Sequence, residues 1–167
     1  MVVRVGVVRE LTAEEIRASF VNLPAADAVH IPLPGLHEVI WAEREYLGWR
    51  DPSLASRGYL VHDGPDGAVG VVLRAADPVR GRGAPAMCSL CRATQPATQV
   101  SLFSAQRASL DGASIGTYIC DDLGCSHIIR MLPPSSPWAP APGDLLAARA
   151  AGLLERVSGF TANVMAG

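Results

Sequence analysis

Residues 87–91 of the chain read MCSLC, and residues 116–125 read GTYICDDLGC. Together they hold all four cysteines of the 167-residue sequence, in the spacing C-x2-C-x28-C-x4-C. A C-x2-C turn delivers two thiolates to one ion without backbone strain, and Zn²⁺ takes four such soft ligands in a tetrahedron. The spacing therefore predicts one zinc site. Its four ligands are Cys88, Cys91, Cys120 and Cys125.

The second cysteine pair is predicted to lie where a strand gives way to a helix. SIGTYIC at residues 114–120 has the composition of a strand, and DDLGCSHIIRML at residues 121–132 that of a helix stopped by two prolines. Cys120 then ends the strand, and Cys125 lies in the first helical turn, where backbone amides stabilise a thiolate. One metal would then join the C-x2-C knuckle at residues 88–91, the β-hairpin and the helix, which is the arrangement of a treble-clef zinc finger.

Positive charge near the thiolates and a complete ligand set both favour a structural metal. Arg92, Arg107 and Arg130 are close enough in sequence to offset the formal charge of about −2 on a Zn(Cys)4 centre. Four protein ligands close the coordination sphere, so the metal has no open position on which to activate water. We therefore expect structural Zn²⁺ and no enzymatic activity.

The same thiols have alternative uses. They could be buried or paired, or the first pair could be a redox dithiol, although the second pair would then lack a role. A rubredoxin-like iron site also takes four thiolates, but Arg92 and Ser126 stand where glycine usually follows each pair. His127 is a possible substitute ligand, but the C-x-H spacing from Cys125 would point its imidazole to the side of the helical turn away from the metal.

Composition limits the class of protein. Apolar residues make up 49% of the chain, which supports a packed core. The formal net charge is −2, and all 14 basic residues are arginines, which argues against a strongly basic nucleic-acid module. Residues 1–10 lack a signal-peptide cleavage site, and no stretch approaches the roughly 18–20 apolar residues of a membrane span. We expect a cytoplasmic protein without membrane contact.

The pattern along the chain predicts an α+β fold in three parts. Residues 1–56 form a small helical part, residues 57–132 a β-hairpin and the treble-clef zinc finger, and residues 133–167 a proline-rich linker and a C-terminal helix. That last helix begins at Asp144 and carries an apolar stripe, so we expect it to fold back on the core.

Local signals fix several of these elements. Thr12 and Glu15 form a capping box for a helix over residues 13–23. A second helical segment is predicted over residues 36–47 and is ended by Gly48. The turn cluster DGPDG, which starts at Asp63, separates two β-rich runs and predicts a hairpin.

Other residues are candidates for binding rather than catalysis. The four histidines make no HExxH pair and no triad with Ser and Asp. The RGRG stretch could contact RNA phosphates through Arg80 and Arg82, or be a solvated linker. Aromatic area beside fixed positive charge is typical of protein-binding surfaces. This pattern gives four candidate partner contacts: Phe103, Arg107, Tyr118 and Arg130.

Several stretches resemble the FBP-domain family in sequence and order, over about residues 10–132. They are LTAEEIRASFVN, LGWRDP, GYLV, VGVVLR, MCSLC, VSLF and GTYICDDLGCS. The C-terminal treble-clef zinc finger of this family is similar to that of the FusB-type fusidic-acid-resistance proteins, which have His where Cys120 stands here. The resemblance implies a two-part protein that binds elongation factor G, and in the resistance members promotes release of the factor from stalled ribosomes.

Three functions follow as hypotheses. The first is a non-enzymatic zinc protein that binds elongation factor G, or the factor on the ribosome, and promotes its release. The alternative is an RNA-binding zinc module, whose affinity would fall steeply with salt. The second alternative is a dithiol redox or metal-sensing protein, which requires a reactive thiol in the native state.

Overall fold

The fold is that of a computed structural model, which describes residues 6–77, 83–109 and 111–166. Arg80 and Arg82, the predicted RNA contacts, lie outside the described residues. Among the helices that are described, none combines the length and apolar character needed to cross a bilayer. The division of the sequence into residues 1–56, 57–132 and 133–167 stays a prediction.

Five antiparallel strands form the central sheet, in the order β1-β2-β3-β6-β7, and β4 and β5 form a separate two-stranded hairpin. The described residues contain seven strands: β1 (Leu47–Arg50), β2 (Arg57–Gly64), β3 (Gly67–Ala75), β4 (Ala86–Met87), β5 (Thr94–Gln95), β6 (Val100–Gln106) and β7 (Ser114–Cys120). They also contain four α-helices: α1 (Ala13–Ala18), α2 (Ala25–Ala28), α3 (Cys125–Ile128) and α4 (Pro142–Met165). This mixed content confirms the α+β fold.

The predicted hairpin is the centre of the sheet. β2 pairs with β3 from Arg57 and Arg74 to the turn at Gly64 and Gly67. Gly67 has a φ of 122°, a conformation that glycine adopts without strain. Consecutive residues of β2 are buried on both faces, because the sheet is covered on both sides. The hairpin is therefore the wall between two apolar clusters.

The N-terminal helix begins as predicted and ends early. The hydroxyl of Thr12 accepts from the amide of Glu15, and the Glu15 carboxylate accepts from the amide of Thr12, so the capping box is confirmed. The helix stops at Ala18 instead of residue 23, because the next residues pair with the sheet. The Gly70 amide donates to the Ser19 carbonyl at 2.9 Å, which fixes this crossing.

The helical prediction for residues 36–47 is wrong. This segment forms two short 3-10 turns, Leu36–Glu38 and Trp41–Glu43, and its last residue begins β1. Leu47 and Trp49 pair with Val61 and Tyr59 of β2 at one edge of the sheet. Strand pairing therefore prevails here, although the apolar spacing of the segment is typical of a helix. Gly48 does not end a helix but continues the strand.

The long helix α4 covers one face of the sheet, which confirms that the C-terminal helix folds back on the core. It begins at Pro142, a favourable first helical residue, two residues before the predicted start. Its buried residues are Ala150, Leu153, Val157, Phe160, Thr161 and Val164. The cysteines lie in the same apolar cluster, and α1 and β1 belong to the cluster on the opposite face.

Candidate metal centre

The first cysteine pair lies in the turn of the β4–β5 hairpin. The turn is closed by a hydrogen bond from the Cys88 amide to the Ala93 carbonyl at 3.0 Å, and by one from the Arg92 amide to the Cys88 carbonyl at 2.9 Å. The Cys91 amide points at the Cys88 sulfur, 3.4 Å away. This turn therefore presents two sulfurs on one side and supplies one N–H donor to them. We call residues 88–93 the first metal turn.

The second pair is placed by the strand-to-helix junction, as the sequence predicts. Cys120 is the last residue of β7, and Cys125 is the first residue of α3. Between them the Leu123 amide donates to the Cys120 carbonyl at 2.8 Å, and the Gly124 amide donates to the Asp122 carboxylate at 2.8 Å. We call residues 120–125 the second metal turn. The helix after it has only four residues and ends well before the predicted residue 132.

The four sulfurs converge on one site. All four lie within 4.8 Å of one another, and the Cys88–Cys125 and Cys91–Cys120 sulfur pairs are each separated by 3.6 Å. A tetrahedral zinc ion with Zn–S bonds of about 2.3 Å requires sulfurs about 3.8 Å apart. Three of the cysteines are buried and Cys91 is half-buried. This donor set suits structural zinc.

Hydrogen bonds stabilise negative charge on two of the sulfurs. Bonds from the Cys120 and Cys125 thiols hold the pKa of Cys88 well below its ordinary value, whereas bonding to the other thiols raises the pKa of Cys125. The side-chain amide of Gln95 donates to the Cys120 sulfur at 3.1 Å. Together with the Cys91 amide, this gives the cluster two N–H donors from the protein, and zinc is held by thiolates rather than thiols.

The predicted charge-balancing arginines do not contact the sulfurs. The guanidinium of Arg107 donates to the Ala166 carbonyl after α4. Arg130 donates through both terminal nitrogens to the Glu45 carboxylate, at 2.8 and 2.9 Å, and also to the Ser126 carbonyl at 2.7 Å. The Glu45 side chain is 1% exposed, so this is a buried ion pair. It fastens α3 to the segment that leads into β1.

One of the four predicted partner contacts is unavailable for binding. Phe103 is fully buried beneath the Arg50 guanidinium, whose carbon lies 5.1 Å from the ring centroid. The predicted alternation along β6 is correct, but the face that carries Phe103 is the inner one, because α4 covers it. Tyr118 is 52% exposed, and its cross-strand neighbour Leu102 is 39% exposed.

Sequence reasoning missed several residues around the centre. Gln95 follows the first metal turn in β5, and nothing in its spacing marks it as a donor to sulfur. Tyr46 is buried, and its hydroxyl accepts from the Cys125 amide at 3.4 Å. Desolvation raises the pKa of Tyr46, which keeps the phenol neutral beside the thiolates. His127, the alternative ligand, is exposed and outside the cluster.

A knuckle in a short hairpin, a second hairpin and a helix that starts on the fourth ligand define a treble-clef zinc protein. The chain belongs to the FBP C-terminal treble-clef zinc-finger family, which it matches over residues 15–164. The match includes α1 residues from Glu15 onward and nearly all of α4, so it covers the cysteine-containing cluster and most of the cluster on the opposite face. No curated protein and no solved structure matches the chain significantly.

Proposed function

We propose that this protein is a non-enzymatic, cytoplasmic zinc protein that binds translation elongation factor G and promotes its release from the ribosome. Membership of the family and the resemblance to the FusB-type proteins support this function. The observation that carries it is an exposed apolar pair, Leu102 and Tyr118, on the hairpin that the zinc site braces. Closed four-sulfur coordination supports a structural rather than a catalytic role for the metal.

The apolar pair is held rigidly. Leu102 and Tyr118 are directly opposed on β6 and β7, and β7 is the edge strand of the sheet. The Ser89 amide of the first metal turn donates to the Tyr118 carbonyl at 2.7 Å, which ties the exposed strand to the metal site. A surface that is already ordered loses less conformational entropy on binding. Zinc therefore contributes to affinity by fixing the shape of the contact.

The contact set differs from the one that sequence predicts. Tyr118 stays in it, and Leu102 replaces Phe103, which lies on the inner face. Arg107 and Arg130 are engaged by a main-chain carbonyl and by Glu45. In this proposal those two arginines act by holding the hairpin and α3 in place, and the apolar pair makes the contact.

Binding is tested with purified, zinc-loaded protein and elongation factor G by biolayer interferometry. Y118A should weaken the complex about tenfold or more, because exposed aromatic anchors dominate such interfaces. The matched control is I40A, which removes an apolar side chain of similar exposure (58%) from a segment outside the zinc finger. No binding by the intact protein, or equal affinity for Y118A and I40A, would rule out this contact surface.

Release is tested by sedimentation of ribosomes that carry the factor together with fusidic acid. The intact protein should move the factor from the ribosomal pellet to the supernatant, and Y118A should do so only at higher concentration. Binding without release would limit the function to an adaptor. The dithiol alternative is tested in the same preparation by alkylation: thiols that stay protected until a chelator is added exclude it.

A further inference from the structure

A second surface of the zinc finger has a different character from the apolar pair. An open groove of about 630 Å³ runs between the first metal turn, the end of α3 and the middle of α4. Three arginines line it: Arg92, Arg149 and Arg156. Among the described residues that line this groove there is no carboxylate and no aromatic ring. We call it the arginine groove.

Two of these arginines are held in place by main-chain carbonyls. Arg149 donates to the carbonyls of Ile129 and Met131, each at 3.3 Å, and Arg156 donates through Nε to the Leu90 carbonyl. Neither uses all of its donors, and none of their remaining nitrogens is a buried atom without a partner. The spare donors therefore face solvent. The two residues are seven positions apart on α4, which places them about 10 Å apart along the helix.

The third arginine occupies a strained backbone position. Arg92 has a φ of 64° in the first metal turn, where a glycine would be unstrained. The backbone conformation belongs to the turn, because the Arg92 amide donates to the Cys88 carbonyl at 2.9 Å. The side chain, by contrast, is exposed and forms no hydrogen bond within the described part of the chain, so its guanidinium is accessible to a ligand.

None of the three guanidiniums forms an ion pair with another described residue. The ion pairs of the described residues involve other arginines or a histidine. None of the three donates to a cysteine sulfur, since the sulfurs receive their hydrogen bonds from Gln95 and the Cys91 amide. The groove therefore holds three guanidiniums that make no direct contact with a sulfur, beside Cys91 of the metal centre, which also lines it.

We propose that the arginine groove binds the sugar–phosphate backbone of a nucleic-acid strand. Three guanidiniums along one groove, two of them anchored by main-chain carbonyls, match a chain of repeating phosphates better than they match a single anion. The absence of aromatic side chains from the lining argues against base stacking and against the aromatic anchors of a protein interface. Binding is therefore independent of base sequence, and it does not require elongation factor G.

The experiment measures fluorescence anisotropy of labelled 12-nucleotide RNA and DNA strands of the same sequence with the zinc-loaded protein alone. We expect binding whose affinity falls steeply with salt. R92E should weaken it about tenfold and lower the slope of log affinity against log salt by about one. RNA and DNA binding equally would identify the phosphate as the ligand, and preference for RNA would add a contact to the 2′-hydroxyl.

The control is R74E, which makes the same charge change at an exposed arginine of β3 away from the groove. R92G serves as a second variant, since glycine removes the side chain and relieves the turn, so loss of binding cannot be assigned to misfolding. The proposal is overturned if neither strand binds, if R92E and R92G bind like the intact protein, or if R74E weakens binding equally. Preferential binding of labelled polyglutamate would also overturn it, in favour of an acidic protein partner.

Discussion

The two metal turns each contain one non-glycine residue in the left-handed backbone conformation, yet the two residues are used differently. Leu123 in the second metal turn has a φ of 59° and is 2% exposed, whereas Arg92 in the first has a φ of 64° and is exposed. A Cβ at Gly48 would lie 2.6 Å from the Leu123 carbonyl, so the sheet is shaped around Leu123. The left-handed residue of the second turn joins the core, and that of the first presents its side chain to solvent.

Loss of zinc should destabilise the protein more than any other change, and equally whether the ligand is removed from the first or from the second metal turn. C88S in the first turn and C125S in the second each remove one ligand, and apparent binding energies of structural zinc are about 10 kcal/mol or more. We expect one zinc per chain in the intact protein and a melting temperature that falls by more than about 10 °C on chelation. Elemental analysis with thermal unfolding measures both. Unchanged melting after chelation would contradict a shared metal.

The second-largest loss of stability should come from breaking the ion pair between Arg130 and Glu45 beside the second metal turn. R130A leaves the Glu45 carboxylate buried without its partner, which costs about 3–5 kcal/mol of unfolding free energy. Urea denaturation measures the cost. The control is R9A, which breaks an exposed pair with Glu15 and should cost less than about 1 kcal/mol. The double variant E45M/R130M should recover much of the loss, and equal effects of R130A and R9A would contradict the buried pair.

Because Leu123 is buried in the core, its truncation should lower stability, but by less than the two changes above. L123A removes a buried side chain and should cost about 2–4 kcal/mol. L123G should be no worse than L123A, although it removes one more carbon, because glycine adopts the left-handed conformation freely. Urea denaturation of the two variants tests this. If L123G were clearly the less stable variant, backbone strain at this residue would be unimportant.

The smallest change in stability is expected at Arg92 in the first metal turn, and this change should be stabilising. R92G removes an exposed side chain and relieves the left-handed strain, so stability should change by less than about 1 kcal/mol and in the stabilising direction. R92A keeps the strain and should be less stable than R92G. The same denaturation assay compares them. A loss above that size for R92G would show that the Arg92 side chain supports the fold.

The metal site could be predicted because its information is local. The cysteine spacing, the strand before Cys120 and the helix that begins at Cys125 all come from short stretches of sequence. The same holds for the capping box at Thr12 and the hairpin around the Gly67 turn. In each case the residues that define the feature are near neighbours in the chain.

The predictions that failed depended on distant partners. The apolar spacing of residues 36–47 fits a helix, but the segment forms two 3-10 turns, and the pairing of Leu47 with Val61 places its last residue in a strand. Alternation along β6 gives two faces, and only the docking of α4 tells which of them buries Phe103. Nearness in sequence predicts that Arg130 offsets the charge of the zinc site, whereas its partner Glu45 lies 85 residues away.

The bond from Arg156 to the Leu90 carbonyl spans 66 residues, and it bears on how the metal is acquired during synthesis. All four cysteines leave the ribosomal tunnel before the first residues of α4 do. The nascent chain can therefore capture zinc before α4 exists, and α4 then covers one side of the site when Leu153 and Val157 reach the sheet. The half-buried Cys91 still lines the open arginine groove, so that is the side from which the ion should exchange with the cellular pool.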